Sequence, residues 1–231
     1  MTRALILICL AGTTVPACAD PRPDRSKITT TLPLPVALTD MPAATRDALT
    51  KVMKDPTLTA VSPAEEFVAH ADMYQWLLDH PDRAAAAWRK LGVGAVEIKP
   101  LKDGRFCWKD ENGSELVWQN VAQGPSGRVW YAEGRVKPGA VLPTVPVTAV
   151  AILNHSDQAR ATGDSTIKHQ LEVFLHTDSK TAALVTKAFG ESAPKMARQG
   201  SEQLLMFFSG IAKYAHDKPE KLRGLLTDSG R

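Results

Sequence analysis

Histidines and carboxylates are the side chains through which this chain would do acid–base or metal chemistry. The six histidines include no His-Glu-x-x-His pair and no His/Cys cluster with zinc-ligand spacing. His169 and Glu172 stand three apart in a predicted strand and therefore point to opposite faces. The sequence accordingly predicts no metal site, no cofactor and no catalytic residue.

His169 is the best candidate for a polar group inside an apolar interior. His169, Leu171 and Val173 occupy every second position of the strand, so their side chains share one face. There His169 would hold the head group or an oxygen of a ligand, or else be a buried histidine bonded to the backbone. Other charged strand residues alternate with apolar neighbours and are expected to face water, namely Glu115, Glu133, Glu172, Arg128 and Arg135.

Two-residue alternation dominates the middle of the chain and predicts the sheet that positions His169. Asn112-Gly113 is a strong hairpin signal. Val145 to Leu153 and Ile167 to Leu175 alternate over two longer strands. Short connections predict an antiparallel meander.

Helical periodicity flanks this sheet on both sides. A short strand, Thr57 to Val61, precedes Ser62-Pro63-Ala64-Glu65, which has the composition of a helix start. A second helix is predicted from Pro81 to Leu91, and a long one from Pro194 to about His216. The apolar stripe of the long helix is predicted to be Gly200, Leu204, Phe207, Ile211 and Tyr214, with Leu205, Phe208 and Ala212 beside it.

The order of these elements resembles the helix-grip fold of the START-like, polyketide-cyclase-like superfamily. The resemblance covers about Thr57 to Leu226 and is carried by Ser62-Pro63-Ala64-Glu65-Glu66-Phe67, by Ser179 to Ser192 and by Ser192-Ala193-Pro194-Lys195. It implies an α+β domain in which a curved antiparallel sheet wraps a long C-terminal helix, with two short helices after the first strand. It also implies a cavity between sheet and helix.

An apolar cavity would bind an apolar guest without any special motif, because each buried methylene contributes about 0.8 kcal/mol. The alternative is that the same residues fill a solid core. The candidate cavity residues are Trp118, Tyr131, His169, Leu171, Leu204, Phe207, Phe208 and Ile211.

Residues 1–19 read as a secretion signal peptide. Arg3 precedes the apolar run Ala4 to Gly12, and Ala17-Cys18-Ala19 is a small-x-small cleavage site. Cleavage after Ala19 is the main interpretation, and acylation of Cys18 in a lipobox is the alternative. Residues 20–56 are predicted to be a proline-rich tether with a short helix, and residues 57–231 form the domain.

The function that follows is an exported binding protein, in the periplasm or outside the cell, that holds an apolar, lipid-like small molecule without catalysis. Acylation of Cys18 would add membrane anchoring, so peripheral membrane association would occur through the N-terminus. A net charge of +3 is too balanced to indicate nucleic acid as a partner. Two alternatives stay open: a cavity enzyme of cyclase or hydrolase type using His169 or a glutamate, and an envelope interaction protein with a solid core.

Overall fold

Antiparallel strands form one continuous sheet through the centre of the molecule. The structure, a computed structural model, describes residues 30–137, 143–178 and 192–226. These residues contain eight strands: β1 (Leu58–Val61), β2 (Glu65–Ala69), β3 (Ile98–Pro100), β4 (Phe106–Lys109), β5 (Glu115–Gly124), β6 (Gly127–Val136), β7 (Val145–Ala159) and β8 (Ser165–His176). The signal peptide with Cys18, the predicted stretch Ser179 to Glu191 and the C-terminal residues 227–231 lie outside the described residues.

The strand order makes the sheet a meander that is extended at one end by the first two strands. Strands run β1-β8-β7-β6-β5-β4-β3, and β2 also pairs with β8. The register of β5 against β6 shifts between Asn120 and Ala122, a bulge that bends a strand and increases its twist. The first strands and the last strand of the sheet are therefore neighbours.

The described helices are α1 (Ala43–Lys54), α2 (Ala71–Asp79), α3 (Pro81–Lys90), α4 (Ser192–Asp217) and α5 (Pro219–Leu226). The long helix α4 packs on β1, β2 and β8, and it also contacts α2 and α3. This arrangement of a long C-terminal helix on an antiparallel sheet, with two short helices before the meander, confirms the predicted α+β helix-grip fold. None of the helices in the described residues is long and apolar enough to cross a membrane.

Alternation along the strands divides the core into two clusters, one on each face of the sheet. The helix face packs against α2, α3 and α4, and its buried residues include Leu153, Ile167, Leu171, Leu205, Phe208 and Ile211. The opposite face packs against α1 and the chain before it, and its buried residues include Leu32, Leu49, Val129, Val150, Ile152 and Phe174. Both faces of the central strands are thus covered.

Residues 30–41, which we call the strap, lie against the opposite face of the sheet. Leu32 and Met41 are buried there, and α1 follows with Leu49, Val52 and Met53 turned inward. The prolines predict an extended tether for this segment, with a short helix at 42–54. The helix is present, but the proline-rich chain before it is packed, because its leucines and methionine alternate with the prolines and give it an apolar side.

The segment after β1 forms a strand and not the start of a helix. Glu65–Ala69 pairs with Ser165–His169 of β8, and Phe67 and Ala69 are buried on alternate positions. The hydroxyl of Ser62 accepts a hydrogen bond from the backbone N–H of Leu171 at 3.0 Å, so it bridges strands and caps no helix. Pairing with β8 has overridden the local helix signal, and α2 begins only at Ala71.

The inward side of α4 is rotated from the predicted stripe. Ser201, Leu205, Phe208, Ala212 and Ala215 are buried, whereas Leu204 is 37% exposed and Gly200 is exposed. Ile211 is shared by both stripes. The neighbouring helix α3 accounts for the shift, because its Trp88 covers Phe207 and Gly210 from the side: the indole Nε1 donates to the carbonyl of Phe207 at 2.8 Å.

Candidate functional site

A hydrogen-bonded chain of side chains joins α2, β8, β2 and α4 beneath the long helix. The hydroxyl of Tyr74 lies 2.8 Å from Nδ1 of His169, and Nε2 of His169 lies 3.0 Å from Glu65. The Glu65 carboxylate also accepts from the Ser209 hydroxyl at 3.1 Å and from Nζ of Lys213 at 3.2 Å. We call these five residues the polar network.

The proton positions in the polar network follow from its acceptors. An ionised carboxylate only accepts, so Nε2 of His169 carries the hydrogen and Nδ1 accepts from the Tyr74 hydroxyl. Burial lowers the pKa of His169 and outweighs the opposing effect of Glu65, which keeps the ring neutral. Burial also raises the pKa of Tyr74 far above its usual value, which keeps the phenol protonated.

Glu65 is the charged end of this network. Burial raises its pKa, but the hydrogen bonds it accepts together outweigh burial and hold the pKa below the ordinary value. His169 and Tyr74 are each 1% exposed, and both ring nitrogens of His169 are occupied by protein partners. The polar network therefore ties helices to sheet through a buried imidazole and a buried phenol that are both paired.

A second polar contact fixes α2 to β6. Arg128 is 1% exposed; its guanidinium pairs with Asp79 and donates to the Gln75 side chain at 3.0 Å. Gln75 also contacts the ring of His155 at 3.2 Å, and burial together with Arg128 lowers the pKa of that histidine. The expectation that Arg128 faces water is wrong, because α2 covers this end of the helix face.

Aromatic side chains continue the helix face beyond the strands that α4 covers. Phe106 of β4 stacks on Trp118 of β5 with ring centroids 5.7 Å apart, and Trp118 stands diagonally across from Trp130 of β6. All three are only partly buried. We call Phe106, Trp118 and Trp130 the aromatic strip. Apolar, partly exposed surface of this kind is where a flat or apolar molecule would gain most by binding.

The aromatic strip meets α4 at its edge. Trp130 stacks on Phe208 with centroids 6.0 Å apart, and Phe208 makes an edge-to-face contact with Phe207 at 5.0 Å. Helix α4 lies over β1, β2 and β8, on the other half of the sheet from β3, β4 and β5. The strip thus runs from the edge of α4 toward the outer strands.

Trp108 extends the same face next to the strip. It pairs with Ile98 of β3 and Leu116 of β5, two residues along β4 from Phe106, and it is 7% exposed. Its Nε1 has no hydrogen-bond partner within the part of the chain that the structure describes. Because an indole N–H only donates, the partner that would satisfy Nε1 of Trp108 is a hydrogen-bond acceptor.

Six of the eight candidate cavity residues lie on or under the helix face, in three environments. Leu171, Phe208 and Ile211 are buried in the packed core under α4, and His169 belongs to the polar network. Trp118 and Phe207 line the partly buried part of the helix face.

Tyr131 and Leu204 do not lie on the helix face at all. Tyr131 packs against the core of the opposite face, because it is one residue out of phase with Trp130. Leu204 is exposed on α4, since the inward side of that helix is rotated. Cys18 lies outside the described residues.

Several residues of the site were not predicted. Glu65 was predicted to lie at a helix start and Tyr74 in the helix that follows it, and Trp108 was treated only as a strand residue. For Tyr74 and His169, which are 95 positions apart, no local signal exists in the sequence. For Trp108, the alternation of Phe106 and Trp108 with Cys107 and Lys109 does place the two rings on one face, but it gives no sign of an unpaired indole.

Elsewhere, a surface depression of about 270 Å³ lies on the opposite face at the outer strands. Its walls carry Arg105, Glu115, Glu133 and Arg135, whose charges balance. Residues 30–137, 143–178 and 192–226 contain no group of three or more His, Cys, Asp or Glu side chains that could hold a metal ion.

Comparison with known proteins yields likeness in structure alone. The chain matches no protein-family model and no curated protein sequence. It is similar to a conserved protein from Geobacillus kaustophilus, with 9% identity over 68% of this chain and 96% of that chain and a TM-score of 0.47.

Two further structures are similar at lower scores. Ara h 8.0201 has 12% identity over 67% of this chain and 97% of that chain, with a TM-score of 0.37. Norcoclaurine synthase from Thalictrum flavum has 13% identity over 64% of this chain and 87% of that chain, with a TM-score of 0.32. At these values the assignment of the helix-grip fold rests on the strand order and helix placement of this chain itself.

Proposed function

We propose that this protein is exported and binds an apolar, lipid-like small molecule on the helix face of its sheet, beside α4, without catalysing a reaction. The observation that carries the proposal is the aromatic strip, three large rings on one face that the packed core leaves partly exposed. Apolar surface removed from water contributes about 25 cal/mol per Å². A ligand lying on the strip would bury part of each ring.

The ligand site in this proposal is narrower than the candidate cavity. Leu171 and Ile211 are 0% and 1% exposed, and their side chains fill the space directly under α4. Trp118 and Phe207 remain from the predicted set, and Phe106 and Trp130 join them. The site is thus the open half of the helix face.

The polar network supports a non-catalytic role. A general base must reach a substrate proton within hydrogen-bond distance, and in His169 both nitrogens are engaged and the ring is buried. The alternative of a cavity enzyme that uses His169 as its proton carrier is disfavoured, because both ring nitrogens already have protein partners. Export and the site of action follow in this proposal from the signal-like residues 1–19.

Native mass spectrometry of the purified protein and titration with a dansylated fatty acid test the proposal. We expect Trp118→Ala to weaken probe binding about tenfold, equivalent to about 1.4 kcal/mol. Leu204→Ala is the matched control, because it removes an exposed apolar side chain from α4; it should leave the affinity unchanged.

Two results would count against the proposal. A protein that carries no small molecule and binds neither the fatty acid nor a sterol-like probe would favour the envelope interaction protein with a solid core. Equal loss of affinity in Trp118→Ala and Leu204→Ala would show that the probe binds elsewhere.

A further inference from the structure

Trp108 is a buried hydrogen-bond donor beside the aromatic strip that finds no acceptor in the described chain. Its side chain is 7% exposed, and its Nε1 is unpartnered there. The partly buried Trp88 shows the usual arrangement, in which its Nε1 donates to the carbonyl of Phe207 at 2.8 Å. Buried tryptophans generally pair this group.

The position of Trp108 connects that donor to the proposed ligand site. Trp108 and Phe106 lie two residues apart on β4 and on the same face, so their Cα atoms are separated by about 7 Å along the strand. Phe106 is stacked on Trp118. A molecule lying on this stacked pair would lie next to Trp108 on the same face of the sheet.

We propose that the bound molecule carries a hydrogen-bond acceptor oxygen, as in a ketone, ester or ether, which accepts from Nε1 of Trp108 while its apolar body lies on the aromatic strip. The inference rests on the proposed function and adds the chemical class of the ligand. A pure hydrocarbon would leave the indole N–H unpaired, and a group that only donates would be rejected. Trp108 is thereby a specificity-determining residue.

A matched pair of rigid probes tests this directly. Fluorenone carries one carbonyl oxygen, and fluorene has the same ring system with a methylene in its place. We expect the wild-type protein to bind fluorenone about five- to tenfold more tightly than fluorene. Trp108→Phe should remove that preference by weakening fluorenone binding only.

Trp118→Phe is the matched control, because it changes an indole to a phenyl ring on the same face while Trp108 remains. It should retain the preference for fluorenone. Heteronuclear NMR of the wild-type protein gives a second measurement that does not depend on a variant folding. The indole N–H signal of Trp108, assigned through its own side chain, should move downfield with fluorenone and not with fluorene.

The possible outcomes separate this inference from the proposed function. Two outcomes would show that Trp108 does not bind the acceptor oxygen, although the apolar site is retained. In one, both probes bind and Trp108→Phe weakens them equally; in the other, the Trp108 signal responds alike to both. If neither probe binds, the ligand site and the inference fall together. A Trp108 signal unchanged by bound fluorenone would mean that the carbonyl oxygen does not accept from the indole, which overturns the inference.

Discussion

Buried polar side chains hold this fold together at contacts between elements that are far apart in the chain. The Glu172 carboxylate, 1% exposed, accepts backbone N–H groups of Thr31 and Leu32 at 2.9–3.0 Å. His169 is enclosed by Tyr74 and Glu65 on the other face. Burying a polar group costs free energy unless the group is hydrogen-bonded, so these contacts stabilise the packing of one particular element on another.

Removal of the Tyr74 hydroxyl tests the polar network. In Tyr74→Phe, Nδ1 of His169 loses its donor and becomes a buried, unpaired acceptor. We expect the free energy of unfolding to fall by about 1–3 kcal/mol, measured by urea denaturation. Tyr131→Phe is the control, because Tyr131 is only partly buried on the opposite face; a loss as large there would contradict the assignment.

His169 and His216 are expected to change the stability of the fold in opposite directions as the pH falls. Burial lowers the pKa of His169, so the unfolded state takes up a proton first and stability is lost as pH falls below about 6.5. Hydrogen bonds to Asp217 and Asp164 raise the pKa of His216, so its contribution is present at low pH and is lost as pH rises through the raised pKa.

Urea denaturation between about pH 7.5 and about pH 5.5 separates the two contributions. Relative to the wild type, His169→Gln should lose less stability on acidification, and His216→Gln should lose more. The same change in both variants would contradict the opposite signs derived from their surroundings.

At the scale of elements, local patterns predicted element types well and element contacts poorly. The alternation of Ile167 to Leu175 correctly predicted β8, and the 3.6-residue pattern correctly predicted α4. The Ser-Pro-x-Glu pattern at 62–65 failed, because pairing with β8 gives these residues a strand ladder. Which side of α4 faces inward was also wrong, since that depends on how α3 packs beside it.

Gly210 tests the packing of α3 on α4. A Cβ at this position would lie 2.7 Å from Cζ2 of Trp88, and the Trp88 ring is held by its bond to Phe207. We expect Gly210→Ala to lower the thermal midpoint and to cost about 1–3 kcal/mol. Gly200→Ala in the same helix, where nothing lies within 4 Å, should stabilise the protein by up to about 1 kcal/mol.

Glu172 tests the docking of the strap. In Glu172→Gln, one carboxylate oxygen becomes an amide nitrogen, which cannot accept from the N–H of Thr31, and the remaining oxygen accepts from Thr31 and Leu32 without a negative charge. We expect a loss of about 1–3 kcal/mol and faster hydrogen exchange at the strap amides, with α4 unaffected. The exposed Glu66 gives the control variant Glu66→Gln, in which the strap amides should exchange as they do in the wild type. Strap amides that stay as protected in Glu172→Gln as in the wild type would contradict the role of Glu172 in docking the strap.

At the scale of the whole molecule, the sheet is covered on both faces over its central strands and left partly open on the helix face at its outer strands. The strap and α1 cover one face, and α2, α3 and α4 cover the other. This distribution makes the core under α4 solid and moves the proposed ligand site to the aromatic strip.

A prediction for the whole molecule concerns export and cleavage of its N-terminal segment. Expressed with residues 1–19 in a bacterial host with two membranes, the protein should appear in the periplasmic fraction with Asp20 as its first residue, as measured by intact mass. Cys18→Ser should leave both results unchanged. A membrane-bound protein with acyl mass on Cys18, abolished in Cys18→Ser, would instead support the lipoprotein alternative.

The sequence by itself determined the order and type of most elements and the alternation that separates Trp130 from Tyr131, because backbone periodicity is a local property. Only the tertiary structure decided that Glu172 and Arg128 are buried, that His169 meets Tyr74 and Glu65, and that Trp108 stands unpaired beside the aromatic strip. These properties depend on which helices and segments cover each face of the sheet. Contacts between residues about a hundred positions apart cannot be inferred from local residue spacing.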